Sequence, residues 1–206
     1  MSDTIVALSS ATGAGGVRAI VRVSGAAAWR AAGAVARVEE MRAGWQDAGI
    51  SLDGASMAGH VLLFAGPRSF TGEDVAELHV PNSPALVRMV IEALLRWGGG
   101  TGGRGERVRM AEPGEFSARA FFNGKMDLTE AEGVAATIAA EDAQQLRAAA
   151  SLRCGNLHKE VERLAEGLAD LLALIEAGID FSDEEDVSFV EAARVASRLG
   201  EWGQYV

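Results

Sequence analysis

The first 124 residues contain short runs in which apolar and polar residues alternate, and this period of two is typical of β-strands. It predicts strands over residues 4–8, 17–23, 60–64, 75–80 and 108–110. In the fourth strand, the alternation puts Val75, Glu77 and His79 on one face and Ala76, Leu78 and Val80 on the other. In the second, Arg18, Ile20 and Arg22 share one face, and the core face is predicted to hold Val17, Ala19, Val21 and Val23.

Two helices are predicted in this first part of the chain. Residues 26–35 are rich in alanine, and residues 84–97 have a helical spacing of apolar side chains that ends at Gly98. The apolar positions of the second helix are Leu86, Val87, Val90, Ile91, Leu94 and Leu95. The polar stretch between residues 36 and 59 follows neither period, so it is predicted to be a connection without regular structure.

From Asp127 onward the spacing is helical. Residues 127–130 and 129–132 each fit a capping box, and the helix that follows is predicted to run toward Leu152. After a predicted break at Gly155, a heptad seam consists of Leu157, Val161, Leu164, Leu168, Leu171 and Ile175. An acidic run at 180–186 and a further capping box at 188–191 precede a last predicted helix. The predicted fold class is therefore α+β, with a mixed-sheet domain over 1–124 and an all-α segment over 125–206.

Composition narrows the classes of function. The 206 residues have a formal net charge of −10 and no basic stripe, which argues against broad binding of nucleic-acid phosphates by this surface. Cys154 is the only cysteine, so an intrachain disulfide is excluded and a reducing compartment is indicated. With no signal-peptide pattern and no uncharged run near the roughly 20 residues that span a bilayer, a cytoplasmic protein is predicted.

Two runs are candidates for a ligand site. Residues 70–78, Phe-Thr-Gly-Glu-Asp-Val-Ala-Glu-Leu, put a glycine turn before a strand, where the Glu77 carboxylate is well placed to accept hydrogen bonds from a ligand. Residues 113–127 combine a Pro-Gly turn, three phenylalanines and an Asn-Gly turn that presents Lys125. A surface loop with core phenylalanines is the competing interpretation of this second run.

Other kinds of site find little support in the sequence. A Gly-x4-Gly-Lys-Ser/Thr phosphate loop does not occur, and the glycines of 98–103 follow a helix rather than a strand, the reverse of the dinucleotide-binding context. The loop 13–16 is a candidate for backbone contacts with a ligand. The three histidines share no metal-ligand spacing, one cysteine cannot build a zinc site, and no serine or cysteine lies in a recognisable nucleophile setting.

Four groups of residues together resemble the N-terminal part of the tRNA-modification GTPases of the MnmE or TrmE family. They are 4–7 with 15–17 and 20–25, then 66–78, then 113–121 with 123–128, and last 179–185. They occur in the family's order and cover most of residues 4–190.

The resemblance implies that residues 1–124 form a folate-binding fold akin to the tetrahydrofolate domain of glycine-cleavage T-proteins, which dimerises and binds 5-formyl-tetrahydrofolate. Arg22, Glu77 and Lys125 occupy positions at which the family contacts folate. It further implies a helical domain with an inserted G domain that uses GTP, Mg and K, and an FAD-dependent partner, MnmG or GidA. The pair modifies the wobble uridine of certain tRNAs to the 5-carboxymethylaminomethyl type.

Two features depart from that pattern. Where the family has a His-Gly-Gly turn, this chain has His-Val-Pro-Asn-Ser-Pro at residues 79–84. The P-loop and the cysteine-bearing tail are missing, so the chain is expected to be part of a longer protein and not to hydrolyse GTP by itself. The alternatives are a standalone folate-binding module, an aminomethyl-transfer domain, and a structural interaction module with a decayed pocket.

Overall fold

The computed structural model describes residues 3–10, 16–38, 40–52, 54–99, 106–180 and 192–203. It divides into two compact units, Met1–Ala131 and Glu132–Val206. The strands are β1 Thr4–Leu8, β2 Arg18–Ser24, β3 Ala36–Arg37, β4 Gly44–Leu52, β5 Ala55–Phe64, β6 Val75–Pro81 and β7 Val108–Met110. The helices are α1 Ala28–Val35, α2 Pro84–Gly99, α3 Glu115–Phe122, α4 Leu128–Ala139, α5 Ala143–Arg153, α6 Asn156–Asp180 and α7 Ala192–Trp202.

The strands of the first unit form one mixed sheet in the order β3-β4-β5-β6-β2-β1-β7. The β1–β7 pair is parallel and the other pairs are antiparallel. One face of this sheet packs against α1 and α2, and the side chains buried there are Ala28, Ala31, Ala32 and Val35 of α1 and Leu86, Val87, Val90 and Leu94 of α2. This agrees with the predicted α+β fold, in which an N-terminal mixed sheet precedes a helical region.

The alternation of apolar and polar residues in β2 and β6 gives each strand the predicted core face. Ala19, Val21, Ala76 and Leu78 are fully buried, because successive side chains of a strand point to opposite faces and these four share the face that meets the core. Val17 was predicted to share this core face, and that prediction is wrong. It precedes β2 and is 86% exposed.

The connection predicted between residues 36 and 59 is instead largely strand. β3, β4 and the first half of β5 occupy it, and β4 pairs with β5 from Gly44 to Leu52. Ala48, Ile50 and Leu52 alternate into the core, but the glycines and polar residues between them weaken the period. Pairing along the whole length of a long hairpin compensates for the low strand preference of these residues.

Two helix predictions also need correction. In the run 113–127 two turns and no helix were predicted, yet its centre is α3, with Arg119 and Ala120 buried. The helix predicted to run from 127 toward Leu152 is two helices, because the Asp142 side chain accepts hydrogen bonds from the N–H groups of Gln144 and Gln145 and starts α5.

The first predicted capping box is confirmed. Asp127 Oδ1 accepts from the Glu130 N–H at 2.7 Å, and Glu130 Oε2 accepts from the Asp127 N–H at 2.8 Å. The predicted break at Gly155 is also present, since this residue separates α5 from α6 with a φ of 63°. The acidic run from 181 and the capping box at 188–191 lie outside the described residues.

The heptad seam lies on α6, the long helix of the second unit. Leu171 is 4% exposed, whereas Leu157, Val161 and Leu168 are each about half exposed. None of the helices in the described part of the chain is long and apolar enough to cross a membrane.

The two prolines that depart from the family turn fit their local structure. Pro81 ends β6 opposite Arg18, and Pro84 is the first residue of α2, where a backbone N–H has no partner within the helix. Ser83 precedes the helix, and its hydroxyl accepts from the Leu86 N–H at 3.5 Å. The substituted turn therefore serves as a normal strand-to-helix connection.

A candidate ligand site on the open face of the sheet

The sheet face opposite α1 and α2, called here the open face, carries a line of polar and aromatic side chains. Register places Trp45 opposite Leu62, Leu62 opposite Glu77, and Glu77 opposite Arg22. Directly opposed residues of neighbouring antiparallel strands share a face. A second line in the same way joins Asp47, His60, His79 and Ile20.

Arg22 and Glu77 form an ion pair at the centre of this face. Arg22 Nε and Nη2 each lie 2.8 Å from Glu77 Oε1, and His79 Nε2 lies 3.3 Å from Glu77 Oε2. Glu77 is only 9% exposed, so its carboxylate is held between two nitrogen-bearing side chains with little room to move. The structure thus brings together two of the three predicted site residues.

Two phenylalanine rings flank the Arg22 guanidinium. Its Cζ lies 5.8 Å from the centre of the Phe70 ring and 5.9 Å from that of Phe116. These distances are within the range of cation–π attraction. Phe70 comes from the first candidate run of the sequence and Phe116 from the second, so both runs converge on the same arginine.

Lys125, the third predicted residue, lies on the turn after α3, next to the glycine turn that follows Phe70. Its N–H donates to the Ala120 carbonyl at 2.8 Å, and Asn123 Nδ2 donates to the Thr71 carbonyl at 2.6 Å. A Cβ on Gly72 would lie 3.2 Å from Lys125 Cγ, which shows how closely the two turns pack. Lys125 is exposed, and its contact is with the glycine turn rather than with the Arg22–Glu77 pair.

A partly buried ionic cluster centred on Arg119 links the turn after Phe70 to the start of α3. It consists of Asp3, Glu73, Arg109, Glu115 and Arg119. The Arg119 side chain is fully buried and donates to Glu73 Oε2, Asp3 Oδ1 and Glu115 Oε1, each at 3.0 Å. Since Glu73 adjoins the Phe70 turn and Glu115 adjoins Phe116, this cluster positions the two rings beside Arg22.

The cluster shifts the pKa values of Asp3, Glu115 and Arg119. The hydrogen bonds from Arg109 are the largest cause for both acids, and they lower the pKa of Asp3 and lower that of Glu115 from 4.5 to about 2. Burial opposes charge on Arg119, but its hydrogen bonds to Glu115 and Glu73 outweigh that effect and raise its pKa. Asp3, Glu115 and Arg119 therefore carry charge at neutral pH.

The low pKa of Glu115 predicts sensitivity to acid. Because its pKa is lower in the folded than in the unfolded protein, its contribution to stability is complete above about pH 4.5 and is lost as the pH falls toward about 2. We expect a Glu115→Gln protein to be less stable at neutral pH and to lose less stability over that acid range. Urea denaturation at several pH values measures this, and parallel pH profiles for the two proteins would contradict it.

Sequence reasoning missed several residues of this region. Trp45 and Asp47 lie on β4, which was not predicted, so their approach to His60 was not foreseen. Arg119 lies in the second candidate run, but its burial depends on Asp3 and Glu73, which are distant in the sequence. The only local sign of the ionic cluster in the sequence was an arginine between apolar residues, with two glutamates nearby.

Within the described residues, no group of three or more His, Cys, Asp or Glu side chains is arranged to hold a metal ion.

Comparison with known proteins decides the family. Residues 4–125 match the family model described as "GTP-binding protein TrmE N-terminus" and residues 128–205 match that of the "MnmE helical domain". The chain belongs to the MnmE/TrmE family. The boundary between these two matches falls just before α4, at the capping box formed by Asp127 and Glu130.

Three curated relatives illustrate the family match, and each is named tRNA modification GTPase MnmE. The protein of Halorhodospira halophila is 45% identical over 192 residues, which is 90% of this chain and 38% of the relative. That of Laribacter hongkongensis is 39% identical over 97% of this chain and 43% of its own length. That of Beijerinckia indica is 44% identical over 96% of this chain and 42% of its own length. The chain thus spans about two fifths of the length of these relatives.

Proposed function

We propose that this chain is the folate-binding, dimerising N-terminal part of a tRNA-modification GTPase and that it binds 5-formyl-tetrahydrofolate on the open face. The observation that carries the proposal is the Arg22–Glu77 pair, flanked by Phe70 and Phe116, on a face that α1 and α2 leave uncovered. Membership of the MnmE/TrmE family supports it, because the relatives are named for tRNA modification.

The chemistry of these residues suits a reduced folate. A pterin presents adjacent N–H donors, and one carboxylate accepts two such donors together. A carboxylate has about four acceptor positions, so Glu77 can accept from a pterin while it keeps its contacts with Arg22 and His79. Arg22 and Lys125 supply positive charge for the carbonyl or for the glutamate carboxylates of the ligand.

The activity of the whole protein is part of the same proposal. In the complete protein a G domain would bind GTP with Mg and K, and an MnmG-type FAD protein would join in modifying the wobble uridine of tRNA. We also propose that the protein forms a homodimer through its first unit and that it is located in the cytoplasm. The present chain has no P-loop sequence, so these 206 residues contribute the folate site and a helical region rather than GTP hydrolysis.

One alternative has an observation in its favour. Leu157, Val161 and Leu168 form an exposed apolar stripe on α6, which suits a module whose main role is to pair with other helices. A standalone folate module or an aminomethyl-transfer domain is less well supported, because α4 to α7 match the helical domain of the MnmE family.

The test is a calorimetric titration of the 206-residue chain with 5-formyl-tetrahydrofolate. We expect saturable binding that Glu77→Ala weakens by about 100-fold, since hydrogen bonds to a charged group are worth about 1.5–3 kcal/mol each. Glu92→Ala is the matched control, because Glu92 is an exposed carboxylate on α2. A folded Glu77→Ala protein with unchanged affinity would remove Glu77 from the site, and a wild-type chain that does not bind would favour the interaction module.

A further inference from the structure

Trp45 packs against two histidines on the open face and yet is about half exposed. Its ring stacks on His60 with centroids 4.6 Å apart and an interplanar angle of 29°, and it meets the edge of His79 at 5.0 Å. His60 is fixed in turn, since its Nδ1 lies 2.8 Å from Asp47 Oδ1. Even so, Trp45 remains 53% exposed. One side of the indole is packed, and the other is available to a planar group.

The position of this indole relative to Glu77 is set by the sheet register. Trp45 and Glu77 lie in the same line of opposed residues, with Leu62 between them. Neighbouring strands are about 4.8 Å apart, so two strand spacings separate the two residues by roughly 10 Å. His79 lies between them on the adjacent line and contacts both side chains.

We propose that Trp45 is a binding residue for the p-aminobenzoyl ring of the folate whose pterin edge is accepted by Glu77. This inference rests on the proposed folate site and gives the direction in which the ligand lies, from β6 across β5 to β4. In a folate, the pterin ring system and the methylene-amino link together separate the amino edge of the pterin from the benzoyl ring. That distance is similar to two strand spacings. An indole that already packs against two neighbouring rings can stack on that ring with a reduced cost in side-chain entropy.

This direction of the ligand across the sheet predicts that Trp45 affects the binding of two related compounds differently. A contact with the p-aminobenzoyl ring stabilises 5-formyl-tetrahydrofolate but not 5-formyl-6-methyl-tetrahydropterin, which lacks that ring. Glu77, by contrast, contacts the part that both compounds share. Loss of one stacked aromatic contact typically weakens binding by about tenfold, as base–aromatic stacking does.

The experiment measures both compounds on the 206-residue chain, the folate by calorimetry and the pterin by competition with it. We expect Trp45→Ala to bind the folate about tenfold more weakly and the pterin within about twofold of wild type. Trp45→Phe should retain most of the folate affinity because it keeps an aromatic face. Trp97→Ala is the matched control, since Trp97 is an indole on α2, which packs against the other face.

The outcomes separate this inference from the proposed function. If folate binds and depends on Glu77, but Trp45→Ala affects folate and pterin equally or not at all, the ring contact is wrong and the folate site stands. If Trp45→Phe loses as much folate affinity as Trp45→Ala, stacking is also contradicted. If the wild-type chain binds neither compound, the proposed folate site fails and this inference fails with it.

Discussion

Replacement of Arg119 by alanine is expected to lower the free energy of unfolding by about 3–5 kcal/mol. The Arg119 side chain is fully buried and donates to the carboxylates of Asp3, Glu73 and Glu115. Without the guanidinium, the Glu73 carboxylate keeps, among the residues that the structure describes, only its hydrogen bond from Ser24 Oγ at 2.8 Å. Truncating one member of a buried ionic network is costly because its partners remain desolvated.

Urea denaturation followed by tryptophan fluorescence measures this loss. Arg30→Ala is the matched control, since Arg30 pairs with Glu106 at the surface, and exposed pairs are worth about 0–1 kcal/mol. If Arg119→Ala costs no more than Arg30→Ala, the cluster does not stabilise the fold. Because the cluster positions Phe70 and Phe116, the Arg119→Ala protein should also bind folate more weakly even under conditions in which it remains folded.

Replacement of Gly25 by alanine is expected to destabilise the protein by about 3–4 kcal/mol, for two separate reasons. Gly25 has a φ of +132°, a conformation that side-chain-bearing residues rarely adopt. A Cβ at this position would also lie 2.7 Å from Thr4 Oγ1 and 2.8 Å from Thr4 Cα. The backbone of β1 would have to move, and β1 lies between β2 and β7.

Gly44→Ala separates the two contributions. Gly44 has a φ of +108°, but a Cβ there would meet no atom within 4 Å, so this substitution carries the backbone strain alone. We expect it to cost about 1 kcal/mol in the same denaturation experiment. Equal losses at the two positions would show that β1 accommodates the extra methyl group without strain.

The strands and the site residues differ in how well sequence alone could predict them. In β2 and β6, each inward position is a small or branched apolar residue, and both faces were predicted by alternation. In β4, Gly44, Gln46, Asp47 and Gly49 obscure the same period. Its strand structure depends on pairing with β5, which is a long hairpin contact that no short window of sequence contains.

The same distinction applies to the site. Arg22 and Glu77 were predicted from the family resemblance, and their direct bond follows from the register of β2 and β6. The ionic cluster joins Asp3 to Arg119 across most of the first unit, so it could not be predicted before the fold was known. Charged residues such as these usually lie at the surface, and here they stabilise the fold because they are paired where water is largely excluded. Which charged residues are buried depends on the whole fold.

The strand order has a kinetic consequence. Along the chain, α1 and the β3–β5 meander come between β2 and β6, the two strands that pair with each other. Arg22 and Glu77 are 55 positions apart, so their bond requires closure of a long loop whose entropy must be overcome before the contact forms. We therefore expect the Arg22–Glu77 pair to form late in folding, and a partly folded chain with an intact β4–β5 hairpin would still lack it.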